Sequence, residues 1–301
     1  MDQVATGVRI WWIFLCSLTL FNLGFWIASC VTFMRRRVTA PRAYTARWPH
    51  VLLSLTYVLG CGFRSILPRA DVQRMCLYDS FLSSVLVGRS VATIAELAFA
   101  VQWALLLYEL SQAEHDRFGM RVARVVVPLI FVAEICSWYA VLTTNYLGNA
   151  MEQSIWTFSA ALMTVALFGL WKKTYGQLRG FLTVAMIVCV GFVCFMCTVD
   201  VPMYLTRFQA DLAHGRPFLS LGEGLRDVSE RWVVIHSWQE WRDEISWMSL
   251  YFSVAVWVSI SLVHAPHSRR SFRSSLFGKA NSGDKDGRFS EMGTNPGMIK
   301  N

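Results

Sequence analysis

The sequence has few charged residues for its length. Asp, Glu, Lys and Arg make up 16% of the 301 residues, whereas 54% are hydrophobic. A soluble domain of this size carries about 25% charged residues, so the composition excludes an ordinary soluble fold. The net charge is +8, but the basic residues lie in short clusters beside apolar runs, which membrane topology explains better than nucleic-acid binding. We expect the partner of this chain to be a lipid bilayer and not a nucleic acid.

Several motifs of membrane enzymes and receptors are also missing. None of the lysines lies in an apolar run, which excludes a retinal Schiff base. The six histidines lie at run ends or in loops, so no transmembrane pair could hold a haem. The sequence has no H-E-x-x-H, no G-x-S-x-G and no phosphate-binding glycine-rich loop, and it lacks the D-R-Y and N-P-x-x-Y sequences of seven-helix receptors. It predicts no metal site, and it assigns no cofactor.

Apolar runs are abundant, and seven of them approach the length needed to cross a bilayer. They are residues 10–34, 50–67, 80–108, 125–144, 154–171, 180–205 and 245–265. Three arginines follow the first run and two lysines follow the fifth, and such basic clusters mark the cytosolic side. We therefore predict an all-α integral membrane protein within residues 1–265, with seven transmembrane helices, the N-terminus outside and the C-terminus in the cytosol.

The run at residues 80–108 carries two charged residues, Arg89 and Glu96, in its interior. Charges in that position are costly unless they are partnered inside a helix bundle. The two residues are seven positions apart, about 10 Å along a helix axis, which predicts separate partners on other helices and not a direct pair. Glu134, in the fourth run, is the predicted partner of Arg89. The third helix is therefore expected at the centre of the bundle.

Charged groups inside a membrane protein are candidates for a functional site. We predict a buried polar site that binds or transports a small molecule or lipid-like ligand, in which Arg89 holds an anionic group and the carboxylates supply counter-charge or relay protons. The predicted ligand-binding residues are Arg89, Glu96, Glu134 and Asp200. In the alternative interpretation the charges only fix helix packing, as in a structural or assembly subunit of a membrane complex.

A different chemistry is conceivable in the sixth run. Cys194 and Cys197 are one helical turn apart, and Asp200 and Tyr204 are expected to follow on the same face. Two thiols at this spacing can form a disulfide, so a membrane-embedded thiol oxidoreductase is an alternative function. Its weak catalytic candidates are Cys194, Cys197, Asp200 and Tyr204. Cysteine in an apolar run more often packs as a small hydrophobic residue.

Two further segments differ from the apolar runs. Residues 209–244 place apolar side chains at helical spacing from Leu225 to Trp238, with charges between them. This pattern predicts an amphipathic outer helix at the membrane interface, which would act as an anchor or as a lid over a cavity. Residues 266–301 begin with a basic stretch and continue rich in Gly, Ser and Asn. We expect this tail to be cytosolic and disordered.

Overall fold

A computed structural model describes residues 2–39 and 47–266. The predicted tail 266–301 lies outside the described residues except for Pro266. The helices are α1 (Asp2–Thr39), α2 (Trp48–Ile66), α3 (Val85–Ala113), α4 (Arg117–Thr143), α5 (Tyr146–Lys173), α6 (Gln177–Ala213), α7 (Leu221–Glu230) and α8 (Trp238–Leu262). The short strands are β1 (Arg69–Ala70), β2 (Met75–Cys76) and β3 (Val233–Val234).

Six of these helices, α1, α3, α4, α5, α6 and α8, are long and apolar enough to cross a membrane. Large apolar side chains cover the outer surface of the bundle, among them Leu20, Phe131 and Ile187, as lipid contact requires. The predicted all-helical fold is confirmed, and the architecture is that of a multi-pass membrane protein. α2 has 19 residues, including His50 and Arg64, and is not one of the six, so the seven-span count remains a prediction.

Side-chain caps set the ends of the central helices. The Ser84 hydroxyl accepts a hydrogen bond from the Val87 amide at the start of α3, and Asp116 accepts one from the Gly119 amide at the start of α4. Such caps satisfy the free amides of a first helical turn. The predicted third span began at Ser80, but residues Phe81–Ser83 form a separate 3-10 turn. Arg89 consequently lies close to the first turn of α3 and not near its middle.

The helices pack side by side in chain order from α1 to α6, each against the next, and α8 returns to pack against α1, α2 and α3. Short connections join α3, α4, α5 and α6, so these helices run antiparallel to their neighbours. α6 packs mainly on α5, whereas α8 packs on the other side of the bundle. This arrangement leaves a space between α6 and α8.

The three strands form a small sheet at one end of the bundle, which we call the sheet side. β2 pairs antiparallel with β1 and parallel with β3. The predicted single amphipathic helix through residues 225–238 is wrong. Helix α7 ends at Glu230, because the Val233 and Ile235 amides donate to the Arg74 and Cys76 carbonyls instead of continuing a helix. The shorter α7 is nonetheless held on the bundle by Val228, which packs with Val85 and Val141.

α6 contains a wider π-helical turn at Met196–Asp200, which ends two residues before Pro202. Proline has no amide hydrogen, so the regular hydrogen-bond ladder breaks at this position. A π turn spreads residues three positions apart farther around the helix than an α turn does. The predicted shared face of Cys197 and Asp200 is therefore wrong: Cys197 is exposed on the bundle surface and Asp200 is buried.

Candidate functional site

Arg89 lies at the centre of a buried cluster of carboxylates. Its Nη2 atom is 2.7 Å from Glu134 Oε2, 3.1 Å from Glu96 Oε2 and 3.2 Å from Glu152 Oε1. The predicted contact between Arg89 and Glu134 is confirmed. The expectation that Arg89 and Glu96 do not pair is wrong, because two long side chains on one helix stripe reach across two turns. The cluster joins α3, α4 and α5.

Glu152 was not among the predicted site residues, because the sequence pattern placed it in a turn before the fifth span. The structure begins α5 at Tyr146, where the side chain of Asn145 accepts a hydrogen bond from the Leu147 amide. Asn149 lies one turn further on, and its Nδ2 donates to Glu152 Oε2 at 3.2 Å. The helical spacing of Asn145, Asn149 and Glu152 was the signal that could have revealed this polar stripe.

Neighbouring side chains hold the carboxylates in place. Thr93 Oγ1 donates to Glu134 Oε2 at 2.6 Å, and Trp138 Nε1 donates to Thr93 Oγ1 at 3.1 Å. Tyr251 on α8 donates from its hydroxyl to Glu96 Oε1 at 3.0 Å. The cluster therefore connects four helices, and each of the three carboxylates has a fixed orientation.

Three carboxylates this close can bind a metal ion. One oxygen from each of Glu96, Glu134 and Glu152 lies within 4.8 Å of the others. Arg89 Nη2, however, already lies within hydrogen-bond distance of all three groups. The guanidinium supplies the positive charge that a bound metal would supply, and we assign no metal to the cluster.

A cavity of about 490 Å³ adjoins the cluster, a volume typical of small-molecule sites. Residues from α2, α3, α5, α6 and α8 line it, together with a few from α4 and from the segment around β1. Its charged lining residues all lie toward the sheet side, and we call this region the polar end. They are Arg64, Arg69, Asp71, Arg89, Glu96, Glu152, Asp200, Arg207 and Glu244.

The lining changes from charged to apolar along four of the helices that border the cavity, α3, α5, α6 and α8. On α3 it runs from Glu96 to Trp103, and on α8 from Glu244 to Val258. The other two of these helices show the same order, with Glu152, Trp156 and Met163 on α5 and Asp200, Phe192 and Val188 on α6. The direction of α6 is opposite to that of the other three, so the change from charged to apolar follows position in the cavity and not the direction of the chain. The cavity therefore has one polar end and a long apolar remainder.

Arg64, on α2, lines the polar end and was not predicted as a site residue, because the sequence placed it at the end of a span. Its side chain is 6% exposed, and it makes no hydrogen bond to any residue that the structure describes. Its nearest carboxylate oxygen is Glu96 Oε1 at 3.8 Å. Its guanidinium carbon lies 5.9 Å from the centre of the Trp247 ring. Arg64 is therefore a buried cation with free hydrogen-bond donors.

The four candidates for a thiol enzyme do not come together. Asp200 and Tyr204 line the cavity, whereas Cys194 and Cys197 are exposed and do not line it. Asp200 is 6% exposed and accepts no hydrogen bond from the described part of the chain. Among the predicted ligand-binding residues, Arg89, Glu96 and Asp200 border the cavity, and Glu134 lies behind them. The arrangement offers a polar binding site more readily than a redox centre.

Ion pairs line the cavity at the sheet side. Arg207 on α6 is 3.1 Å from Glu244 on α8, and Gln73 donates to the same carboxylate at 3.2 Å. Arg69 Nε is 2.7 Å from Asp71 Oδ1, in the segment between α2 and α3. Burial raises the pKa of the Asp71 carboxyl, but Arg69 and Arg64 outweigh burial and hold this pKa below its ordinary value. Asp71 is therefore a charged carboxylate at neutral pH.

No protein-family model, curated protein or solved structure matches the chain. Fold and site together define a multi-pass helical membrane protein with a buried polar cluster.

Proposed function

We propose that the protein binds an amphipathic, lipid-like small molecule in this cavity, either to carry it or to respond to it. The observation that supports the proposal is the polarity gradient along the cavity, which appears on α3, α5, α6 and α8. An amphipathic molecule would lay its apolar chain between Trp103, Met163 and Val258 and its headgroup at the polar end. Neither a small polar solute nor a purely apolar molecule would match both regions.

The space between α6 and α8 is the proposed route of entry. Val188 and Phe192 on α6 line the cavity opposite Val254 and Val258 on α8. Both helices are apolar enough to be surrounded by lipid. An apolar chain could therefore pass between them from the membrane without crossing water, which favours a ligand that partitions into lipid.

The Arg89 cluster has a supporting role in this proposal. The sequence-based hypothesis made Arg89 the holder of an anionic group, yet Nη2 is already shared among three carboxylates. The negative charge of these three carboxylates would repel a further anion at Arg89. The cluster is better suited to fix α3, α4 and α5 around the cavity and to give the polar end a defined charge.

We also propose that α2 is a seventh crossing, with the N-terminus outside and the C-terminus in the cytosol. At one end of the bundle Arg47 bonds to the Ala265 carbonyl and to Glu109, and Lys173 pairs with Asp116. At the sheet side, β2 pairs with β3, joining the connection after α2 to the connection before α8. These contacts put the two ends of α2 on opposite sides of the bundle. Its 19 residues span about 28 Å, close to a hydrocarbon core.

Native mass spectrometry of gently purified protein, with identification of bound small molecules, tests the ligand proposal. The expected result is an amphipathic species retained by the wild type and lost in Val188→Trp, which fills the apolar part of the cavity. Val190→Trp is the matched control, because Val190 is 47% exposed on the same helix and does not line the cavity. Equal retention in both variants, or no retained species in the wild type, would contradict the proposal.

A further inference from the structure

Two side chains of opposite charge remain without hydrogen bonds at the polar end. Arg69, Arg89 and Arg207 each donate to carboxylates or carbonyls. The lining carboxylates Asp71, Glu96, Glu152 and Glu244 each accept at least one hydrogen bond. Of the charged lining residues that the structure describes, Arg64 and Asp200 alone make none.

Leaving the hydrogen-bonding groups of these two side chains unused is energetically costly. Arg64 is 5% exposed and Asp200 is 6% exposed, and a buried polar group that makes no hydrogen bond costs free energy. Glu96 Oε1 forms an ion pair with Arg64 at 3.8 Å, which is too far for a hydrogen bond, and Arg64 Nε has no acceptor. A bound headgroup with complementary charges would give Arg64 a hydrogen-bond acceptor and Asp200 a hydrogen-bond donor.

We infer that the ligand is a zwitterionic amphiphile, an inference that rests on the proposed function. A phosphate or carboxylate group would accept hydrogen bonds from Arg64, whose planar guanidinium suits two-point binding of such anions. An ammonium group would pair with Asp200, beside Tyr204. The two side chains come from different helices, α2 and α6, and both line the polar end of the cavity.

Single-chain amphiphiles that share one 16-carbon chain test the inference. The probes are a lysophosphatidylethanolamine, a lysophosphatidic acid and an alkylammonium, titrated against the purified full-length protein in detergent. Hydrogen bonds to charged groups are among the stronger ones, so the wild type should bind the zwitterion at least about tenfold more tightly than either probe with charge of one sign only. Arg64→Gln should weaken the zwitterion and the anion by about tenfold and leave the alkylammonium unchanged.

Asp200→Asn should show the reverse selectivity, weakening the zwitterion and the alkylammonium by about tenfold and leaving the anion unchanged. Arg216→Gln and Asp211→Asn are the controls, since these residues pair with each other away from the cavity. If Arg64→Gln does not fold, Arg64→Lys replaces it, because lysine keeps the charge but loses two-point binding of the phosphate. Asp200→Glu should retain the wild-type selectivity.

Two results would overturn the inference in different ways. Saturable binding that Val188→Trp abolishes, but that depends neither on headgroup class nor on Arg64 and Asp200, would refute the zwitterion and leave the proposed function standing. If none of the three probes bound saturably to the wild type, both proposals would be wrong.

Discussion

Arg89 of α3 and Glu134 of α4 meet inside the bundle, with 2.7 Å between Nη2 and Oε2. Both side chains are nearly inaccessible to solvent, at 7% and 3% exposure. The pair is the shortest of three ion pairs that share one guanidinium. Because four residues from three helices depend on one another here, the cluster is the point at which a single substitution should disturb the bundle most.

Arg89→Gln should lower the free energy of unfolding by about 3–5 kcal/mol, because it leaves three buried carboxylates without their counter-charge. Arg121→Gln, on the exposed face of α4, is the control and should change stability little. Thermal unfolding of the detergent-solubilised protein measures both. Adding Glu134→Gln to Arg89→Gln should recover part of the loss. Equal unfolding temperatures for Arg89→Gln and Arg121→Gln would show that the cluster does not hold the helices together.

Gly60 allows α2 and α3 to approach closely. A Cβ atom at this position would lie 2.6 Å from the Cβ of Ala95, so Gly60→Ala should force the two helices apart and cost about 1–3 kcal/mol. Gly180→Ala is the matched control, because nothing lies within 4 Å of a Cβ atom there. The same unfolding assay compares the two variants. A Gly60→Ala protein as stable as the control would contradict the packing of α2 against α3.

The two ends of α2 should be accessible from opposite sides of the membrane. Trp48 and Ile66 are 37% and 46% exposed, and Trp48→Cys and Ile66→Cys can be introduced singly into a cysteine-free variant. A membrane-impermeant maleimide added outside intact cells should label Ile66→Cys, and Trp48→Cys should react only after permeabilisation. Labelling of both from the same side would reduce the count of crossings to six.

The ion pair between Asp71 and Arg69 should make stability sensitive to acid. The folded state holds the pKa of Asp71 below its ordinary value, whereas the unfolded chain restores a value of about 3.9. The stabilisation is therefore complete above about pH 4 and is lost as the pH falls through the lower folded-state pKa. Unfolding free energies measured from pH 7 to pH 3 should fall less steeply at the acid end for Asp71→Asn than for the wild type. If the unfolding free energies of the wild type and of Asp71→Asn fell equally with pH, the ion pair between Asp71 and Arg69 would be contradicted.

The all-helical architecture was predictable because the length of each long apolar run and its lack of charge indicate a membrane-spanning helix. Lys172 and Lys173 marked the end of the fifth helix in the sequence, and α5 ends at Lys173. The contact between Arg89 and Glu134 followed from the cost of an isolated charge in a membrane. In these cases one physical rule, applied to the apolar runs, is enough to make the prediction.

Other features depend on partners from distant segments. The end of α7 at Glu230 is set by pairing with residues near Cys76, which no local pattern reveals. Trp241 belongs to the segment 209–244, which was expected at the membrane interface, but it is fully buried against Trp11. Arg64 carried a visible signal, a charge within an apolar run, but its lack of hydrogen bonds depends on how α2, α3 and α8 meet.

The most direct test of the central claim is an experimental density map of the wild-type protein purified in nanodiscs of known lipid composition. The account predicts one elongated, chain-like density per molecule, with its compact end between Arg64 and Asp200 and its tail directed toward Val258. Helices α6 and α8 packed against each other, with Arg64 and Asp200 bonded to other protein groups and no space for a ligand, would contradict it.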